Sequence, residues 1–300
     1  MNEQHFKDNL KLHFLVLIWG FTAILGKLIS IPSVEIVFYR TLLSAIGLGL
    51  LLVWKRHRFG LRWQENLRIL GIGALIGVHW VLFFASAKVS NVSVCLVGMA
   101  TTSLWTSMVE PLFNRRRLRK HELFLGSAVL VGLYIVFRAE LSDQYILGLL
   151  LAVVSALLAA LFSVLNAKIT SQYNHHFITF WEMVGAFLIV VVFMPIYGLF
   201  FTGGVIQLIP QSIDWFYLIL LAWGCTVFPW SAMIEMLRRM TAFAVNMTIN
   251  LEPVYGIALA FIIFGESEKM NLGFYLGTAI ILAAVFIYPV YSRRKAKNAI

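Results

Sequence analysis

Glu252 and Pro253 stand in the middle of an apolar run, Thr241 to Glu266, that is long enough to cross a bilayer. A carboxylate at that depth costs about 2.5–3.5 kcal/mol on insertion scales. A proline inside a helix leaves one backbone carbonyl without its helical donor. Both are tolerated only where the helix faces a polar cavity or a packed protein interior. Asn246 and Asn250 precede them at i and i+4, and Pro253 follows at i+7, so the three share one face, the expected cavity side of this helix. Glu252 there could bind a polar ligand, carry a coupling proton, or simply be held by Asn246, Asn250 and the backbone that Pro253 frees. Pro253 is the expected gating position.

Other polar and aromatic residues are stranded in apolar runs in the same way. Arg40 and Glu182 each lie about five residues into a hydrophobic stretch. They could pair, hold the two ends of a zwitterion, or snorkel to an interface. Thr101, Thr102, Ser103, Trp105 and Thr106 form a polar patch that could line a cavity or serve as interhelical glue. Trp19, Tyr39, Trp80 and Trp181 add rings that could stack on a substrate, against the interfacial role of most membrane Trp and Tyr, and His79 is either a polar group of the cavity or a satisfied buried histidine. Lys27 and Lys168, near the ends of their runs, are either snorkelling lysines or charged gates at the cavity mouths.

The chain that must position these groups is 60% hydrophobic and only 13% charged, with a mean hydropathy of +0.85. A soluble domain carries about 25% charged residues. The formal charge of +10 sits in short basic clusters between apolar runs, the pattern of cytoplasmic loops, so no nucleic acid partner is expected. Cys95 and Cys225 fall inside apolar runs and read as buried free thiols. There is no HExxH, no paired aspartates, no nucleophile elbow and no phosphate-binding loop. No catalytic residue, metal site or cofactor is therefore expected. A membrane-embedded lipid- or metabolite-modifying enzyme, the competing class, would need such a constellation near one interface.

Hydropathy predicts ten helices at about 12–30, 35–54, 69–87, 92–113, 122–138, 146–168, 177–201, 215–236, 242–264 and 271–291. Lys7 and Lys11 precede the first without a small-residue cleavage site, so that helix is read as retained. The clusters at 55–68, 115–120, 238–239 and 293–297 fall on the same side as Lys7 and Lys11, whereas the other side receives only Lys88, Arg138 and Lys269. Both termini are thus expected in the cytoplasm, with the protein in the cell inner (plasma) membrane. The cluster from Arg115 to Lys120 is placed to touch anionic lipid headgroups. Gly73-x-x-x-Gly77 and Gly273-x-x-x-Gly277 permit close helix contact, within the scaffold or at a homodimer face.

An internal repeat organises the ten. GFTAILGKLI (20–29) aligns with LFSVLNAKIT (161–170), matching Lys27 to Lys168, and VEIVFYR (34–40) aligns with HFITFWE (176–182), matching Arg40 to Glu182. LFLGSAVLVGLYIVF (123–137) aligns with FYLGTAIILAAVFIY (274–288), matching Gly126 to Gly277. Thr101-Thr102 then falls opposite Glu252-Pro253, and a register placing Glu110-Pro111 there conflicts with the glycine match. Five helices per half is odd, so the second half enters from the opposite side. The expected fold is an all-α integral membrane protein, with ten transmembrane helices as two inverted five-helix repeats, 1–140 and 141–300, around a central cavity. Such pairs are a hallmark of secondary transporters.

LIWGFTAILGKLI (17–29) followed by Arg40, and NLEPVYGIALAFIIFGESEKMNLGFYLGTAIILAAV (250–285) with Pro253, Gly265-Glu266, Gly273 and Gly277, resemble the EamA-type branch of the drug/metabolite transporter superfamily. The fourth helix departs from that pattern in lacking the proline and the GE pair at the matching positions. The resemblance implies a basket of ten helices around a central cavity and the transport of a small polar metabolite. Alternating access between the halves, with export of an amino acid or related compound, is the expected activity. A mixed-charge cavity bearing Asn and Thr is what suggests that substrate class.

Overall fold

A computed structural model describes residues 3–56, 63–114, 120–139, 142–169, 173–236, 248–249 and 251–297. Among them the chain is helical, without a strand. Among the described residues seven helical stretches are long and apolar enough to cross a membrane: Leu10–Leu28, Ser33–Trp54, Trp63–Val89, Val92–Phe113, Asp143–Ile169, His175–Phe201 and Ser212–Met233. The outward faces are apolar, with Val192, Leu199, Phe200 and Ile262 exposed, as a lipid-facing surface requires.

The helices are α1 (Glu3–Leu28), α2 (Ser33–Trp54), α3 (Trp63–Val89), α4 (Val92–Met99), α5 (Thr102–Asn114), α6 (Lys120–Ala139), α7 (Asp143–Ile169), α8 (His175–Phe201), α9 (Ser212–Ile219), α10 (Phe228–Met236), α11 (Glu252–Phe264) and α12 (Leu272–Lys297). α1 packs on α11, α2 on α8 and on the segment after α9, α3 on α7 and α8, α4 on α7 and α11, α5 on α7, and α6 on α12. Glycine sets the closest crossings. A Cβ on Gly73 would overlap the Glu182 carbonyl, and one on Gly185 the Leu70 carbonyl, so α3 and α8 meet backbone to backbone. A Cβ on Gly20 would lie 2.9 Å from the Gly256 nitrogen, where α1 crosses α11, and one on Gly132 would lie 2.8 Å from the Gly277 carbonyl, where α6 crosses α12.

Three of the sequence-predicted helices are not continuous. The one expected over 92–113 breaks between Met99 and Thr102, where Thr101 Oγ1 donates to the Gly98 carbonyl and Thr102 Oγ1 to the Met99 carbonyl, both at 2.7 Å. These hydroxyls satisfy carbonyls that a regular helix would pair along its backbone. The one expected over 215–236 passes through a π-helical segment, Leu220–Val227. Pro229 just beyond has no N–H to donate, and Thr226 Oγ1 donates to the Leu221 carbonyl five residues back at 2.8 Å. The one expected over 242–264 is described as α11, which begins at Glu252 with Pro253 in its first turn. Pro253 is therefore not mid-helix as read from sequence: it occupies the position where a missing N–H removes no helical bond. Gly265, at φ +57°, ends α11 in the backbone region glycine favours.

At one end of the bundle polar bonds tie the loops together. Asp214, in the first turn of α9, accepts from the Ser30 nitrogen at 2.9 Å and from its hydroxyl. Glu268 accepts from the Val92 and Ser93 nitrogens at 3.0 and 2.8 Å, capping α4 from a distant part of the chain. Glu35 accepts from the Gln207 nitrogen at 3.2 Å, and Lys88 donates to the Ile29 carbonyl at 2.6 Å.

Candidate functional site

A cavity opens between the helices, with an empty space of about 1050 Å³ that includes volume open to the surroundings. Each wall is one stripe of a helix at i, i+3, i+4 spacing: Trp19 and Thr22 from α1; His79, Trp80 and Phe83 from α3; Thr102, Ser103 and Thr106 from α5; Ala159, Phe162, Ser163 and Asn166 from α7. Arg40, Trp230 and the α11 pair Glu252-Pro253 complete it.

Arg40 is 2% exposed. Its Nε donates to Thr226 Oγ1 at 2.8 Å, so the π-helical segment supplies the hydroxyl that orients the guanidinium. The guanidinium carbon lies 3.8 Å from the Trp80 ring centroid and 5.5 Å from that of Phe84. Nη1 has no hydrogen-bond partner among the described residues. The Glu252 carboxylate lines the same cavity. A guanidinium held by stacking, with a donor to spare in a low-dielectric wall, has the chemistry to bind an anion.

The tryptophans form one cluster. Trp230 meets Trp80 edge to face at 5.8 Å, Trp19 edge to face at 6.3 Å, and Phe162 at 5.5 Å. Its indole Nε1 donates to Glu182 Oε2 at 2.9 Å. Glu182 is fully buried, and its Oε1 has no partner among the described residues. Arg40 lines the cavity and Glu182 is bonded to Trp230, so the two do not form the ion pair that was one of the sequence alternatives. His79 lines the cavity and is also held from behind: its Nδ1 lies 2.9 Å from the Ser155 carbonyl, and the Ser155 hydroxyl donates to the His79 carbonyl at 2.9 Å.

The profile of the EamA-like transporter family matches the chain at residues 10–138 and again at 146–288. The chain belongs to the EamA-like transporter family. It is a multi-pass membrane transporter, within the drug/metabolite transporter superfamily that the sequence resembles. An uncharacterized transporter of Archaeoglobus fulgidus is 25% identical over 94% of this chain and 96% of its own. Biotin transporters of Escherichia coli K12 and Salmonella typhimurium are 25% and 24% identical, over 72% and 76% of each chain. A crystal structure of a protein superposes with a TM-score of 0.65 at 14% identity, over 96% of this chain and 98% of the other, which shows a shared fold.

In this EamA-like chain, Arg40, Glu252, Thr102, Trp19, Trp80, His79 and Pro253 lie on the cavity wall, and Glu182 reaches it through Trp230. Asn246 and Asn250 lie outside the described residues. The others stand away from the wall. Thr101 is fully buried with its hydroxyl on Gly98. Trp105 is absent from the lining. Tyr39 donates to the Leu208 carbonyl at 2.5 Å and packs on Trp215, and Trp181 packs on Phe177 and Phe180. Lys27 donates to the Ser90 carbonyl at 3.2 Å and Lys168 to the Phe113 carbonyl at 3.1 Å, so the two occupy opposite ends of the bundle. Sequence reasoning missed Thr22, Phe162, Ser163 and Asn166. Ser163 and Asn166 carried a usable signal, two polar residues at i, i+3 in an otherwise apolar span.

Proposed function

We propose that this chain is a secondary transporter that carries a small polar metabolite, an amino acid or a related compound, through the central cavity by alternating access, in the direction of export. Its fold is ten helices in two inverted halves, 1–140 and 141–300, with both termini in the cytoplasm. Helix pairing supports the inversion. If the expected spans are numbered in order, α2 against the α9–α10 span is the counterpart of α8 against α3, and α1 against α11 is the counterpart of α7 against α4 and α5. Exchanging the halves maps these contacts onto one another, as a pseudo-two-fold relation between them requires, and five spans per half makes that relation an inversion. The two separate matches to the family support the boundary near residue 140. The loop contacts of Asp214 and Glu268 lie at the end opposite the basic loops, which fits a state closed at that end and loaded from the cytoplasmic side.

The observation that carries the substrate reading is Arg40, a buried guanidinium with an unpartnered Nη1 facing a tryptophan-walled cavity that also holds Glu252. An α-carboxylate fits the first and an ammonium the second. Counterflow in proteoliposomes with a panel of labelled amino acids tests it. Accumulation is expected with the wild type and lost in Arg40→Leu that still elutes as a monodisperse protein; undiminished transport by that variant rules the reading out.

A second substrate, biotin, is favoured by the relatives named as biotin transporters. Its carboxylate would use the same arginine. Labelled biotin belongs in the same panel, and whichever compound shows counterflow decides between them.

A further inference from the structure

His79 is bonded to the protein through one ring nitrogen only. Nδ1 lies 2.9 Å from the Ser155 carbonyl and 2.8 Å from the Ser155 hydroxyl, which itself donates to the His79 carbonyl at 2.9 Å. A carbonyl oxygen only accepts, so the single hydrogen of a neutral imidazole must sit on Nδ1. Nε2 is then left with a bare lone pair. It has no hydrogen-bond partner among the described residues, yet it is not one of the atoms fully buried without one. The open space that His79 borders is the cavity, where Trp80 and Phe83 of the same helix stand beside it. Phe162 meets the imidazole edge to face at 5.3 Å and Phe83 lies at 6.2 Å, so its ring neighbours have no group that could bond Nε2.

We propose that His79 Nε2 is a specificity-determining acceptor, which takes a hydrogen bond from a neutral O–H or N–H group on the ligand whose carboxylate Arg40 holds. This rests on the reading of the cavity as a substrate site. Arg40 brings donors only and His79 brings one acceptor of fixed direction, so the two ends of a ligand are not interchangeable. The Ser155 carbonyl decides the sign. Were the hydrogen on Nε2, the same position would call for an acceptor on the ligand. Ser155, Phe83 and Phe162, the groups bonded to or stacked on the imidazole, carry no charge, which suits a neutral donor better than an ammonium. An ether oxygen placed there sets lone pair against lone pair. A methyl group displaces water and leaves Nε2 unpaired, which costs the desolvation of a buried acceptor. A site built to bond an O–H or N–H rejects the analogue that lacks it for this reason. The substrate class is therefore a carboxylate that carries a hydroxyl or a neutral N–H at its far end.

The test uses the purified full-length protein and three series of straight-chain carboxylates, ending in a hydroxyl, a methoxy group or a methyl group. Affinity is read from quenching of intrinsic tryptophan fluorescence. The best-fitting hydroxy acid is expected to bind about tenfold more tightly than the methoxy and methyl acids of its length. His79→Asn keeps an N–H close to where Nδ1–H meets Ser155 and has nothing at the Nε2 position, so it should level the three series. Nitrogen-15 NMR of histidine-labelled protein gives a readout that a structural role would not move. The His79 signals, assigned by their absence from His79→Asn or His79→Gln, should show hydrogen on Nδ1, and the hydroxy acid should shift the Nε2 resonance towards that of a protonated nitrogen. Hydrogen on Nε2 in the wild type overturns the proposal without recourse to binding by any variant. So does a hydroxyl preference that survives His79→Asn, or an Nε2 resonance that bound hydroxy acid leaves in place. Carboxylate binding that is lost in Arg40→Leu but ignores the terminal group leaves the cavity reading standing and removes the role of His79. Failure of every series to bind removes both.

Discussion

The guanidinium of Arg40 lies flat against the indole of Trp80, 3.8 Å from its centroid, while its Nε is fixed by Thr226 at 2.8 Å. The consecutive helices α2 and α3 and the distant π-helical segment meet to make this arrangement. Stacking neutralises none of the charge, so the group remains able to attract an anion while its plane and direction are set.

Arg40→Lys is the sharpest probe of that geometry. A lysine keeps the charge but has neither the planar face for Trp80 nor the Nε–H for Thr226. Losing charge-assisted hydrogen bonds worth about 1.5–3 kcal/mol corresponds to roughly a 10- to 100-fold loss in substrate affinity. Transport measured against substrate concentration should show a raised KM, and an unaltered KM would mean that charge alone suffices.

Trp230→Phe removes the indole donor from Glu182 and preserves most of the aromatic contact with Trp19, Trp80 and Phe162. A fully buried carboxylate then loses its hydrogen bond from the indole, at a cost of about 1–3 kcal/mol. The thermal midpoint in detergent is expected to fall, and adding Glu182→Gln or Glu182→Leu should recover part of the loss, because the unpaired group is then less costly. A double variant no more stable than Trp230→Phe alone would show that the bond contributes little.

Gly73 and Gly185 are the points where α3 and α8 touch through their backbones. Gly73→Leu or Gly185→Val forces the helices apart, with an overpacking cost of about 1–3 kcal/mol or more. Because Glu182 itself sits at the Gly73 contact, both a lowered melting temperature and impaired transport are expected. Gly71, around which a Cβ would find open space, is the control position, and Gly71→Ala should match the wild type.

Asp214 and Glu268 are expected to hold one end of the bundle shut. Asp214→Asn and Glu268→Gln weaken carboxylate contacts to backbone N–H groups, each by about 0.5–2 kcal/mol. A single cysteine at Ser103 on the cavity wall, in a background lacking Cys95 and Cys225, should react faster with an impermeant maleimide applied from the sealed side. Equal labelling rates in the parent and the double variant would place the closure elsewhere.

Much of the site was legible because a polar group in a bilayer is costly and so announces itself. Arg40, Glu252 and His79 stood out on that ground, and all three face the cavity. The same signal misled at Thr101, because a hydroxyl in a helix can satisfy itself on a carbonyl three residues back and then needs no cavity. Tyr39 and Trp181 read as rings that could stack on a substrate, but each stands one residue from Arg40 or Glu182, a rotation of about 100° on the helix. Each ring accordingly packs on other aromatic residues instead of joining the cavity wall.

The amino-acid sequence by itself determined that the chain crosses a membrane many times, since runs of apolar side chains need no partner to prefer lipid over water. It determined too that the protein has a polar interior. Only the tertiary structure decided which groups meet there. Glu182 bonds to Trp230 and not to Arg40, Arg40 leans on Thr226, and Asn166 reaches the wall at all, because glycine-to-backbone crossings set how the helices rotate and how closely they approach. Those contacts join residues as much as 186 positions apart, a distance over which no local spacing along the chain carries information.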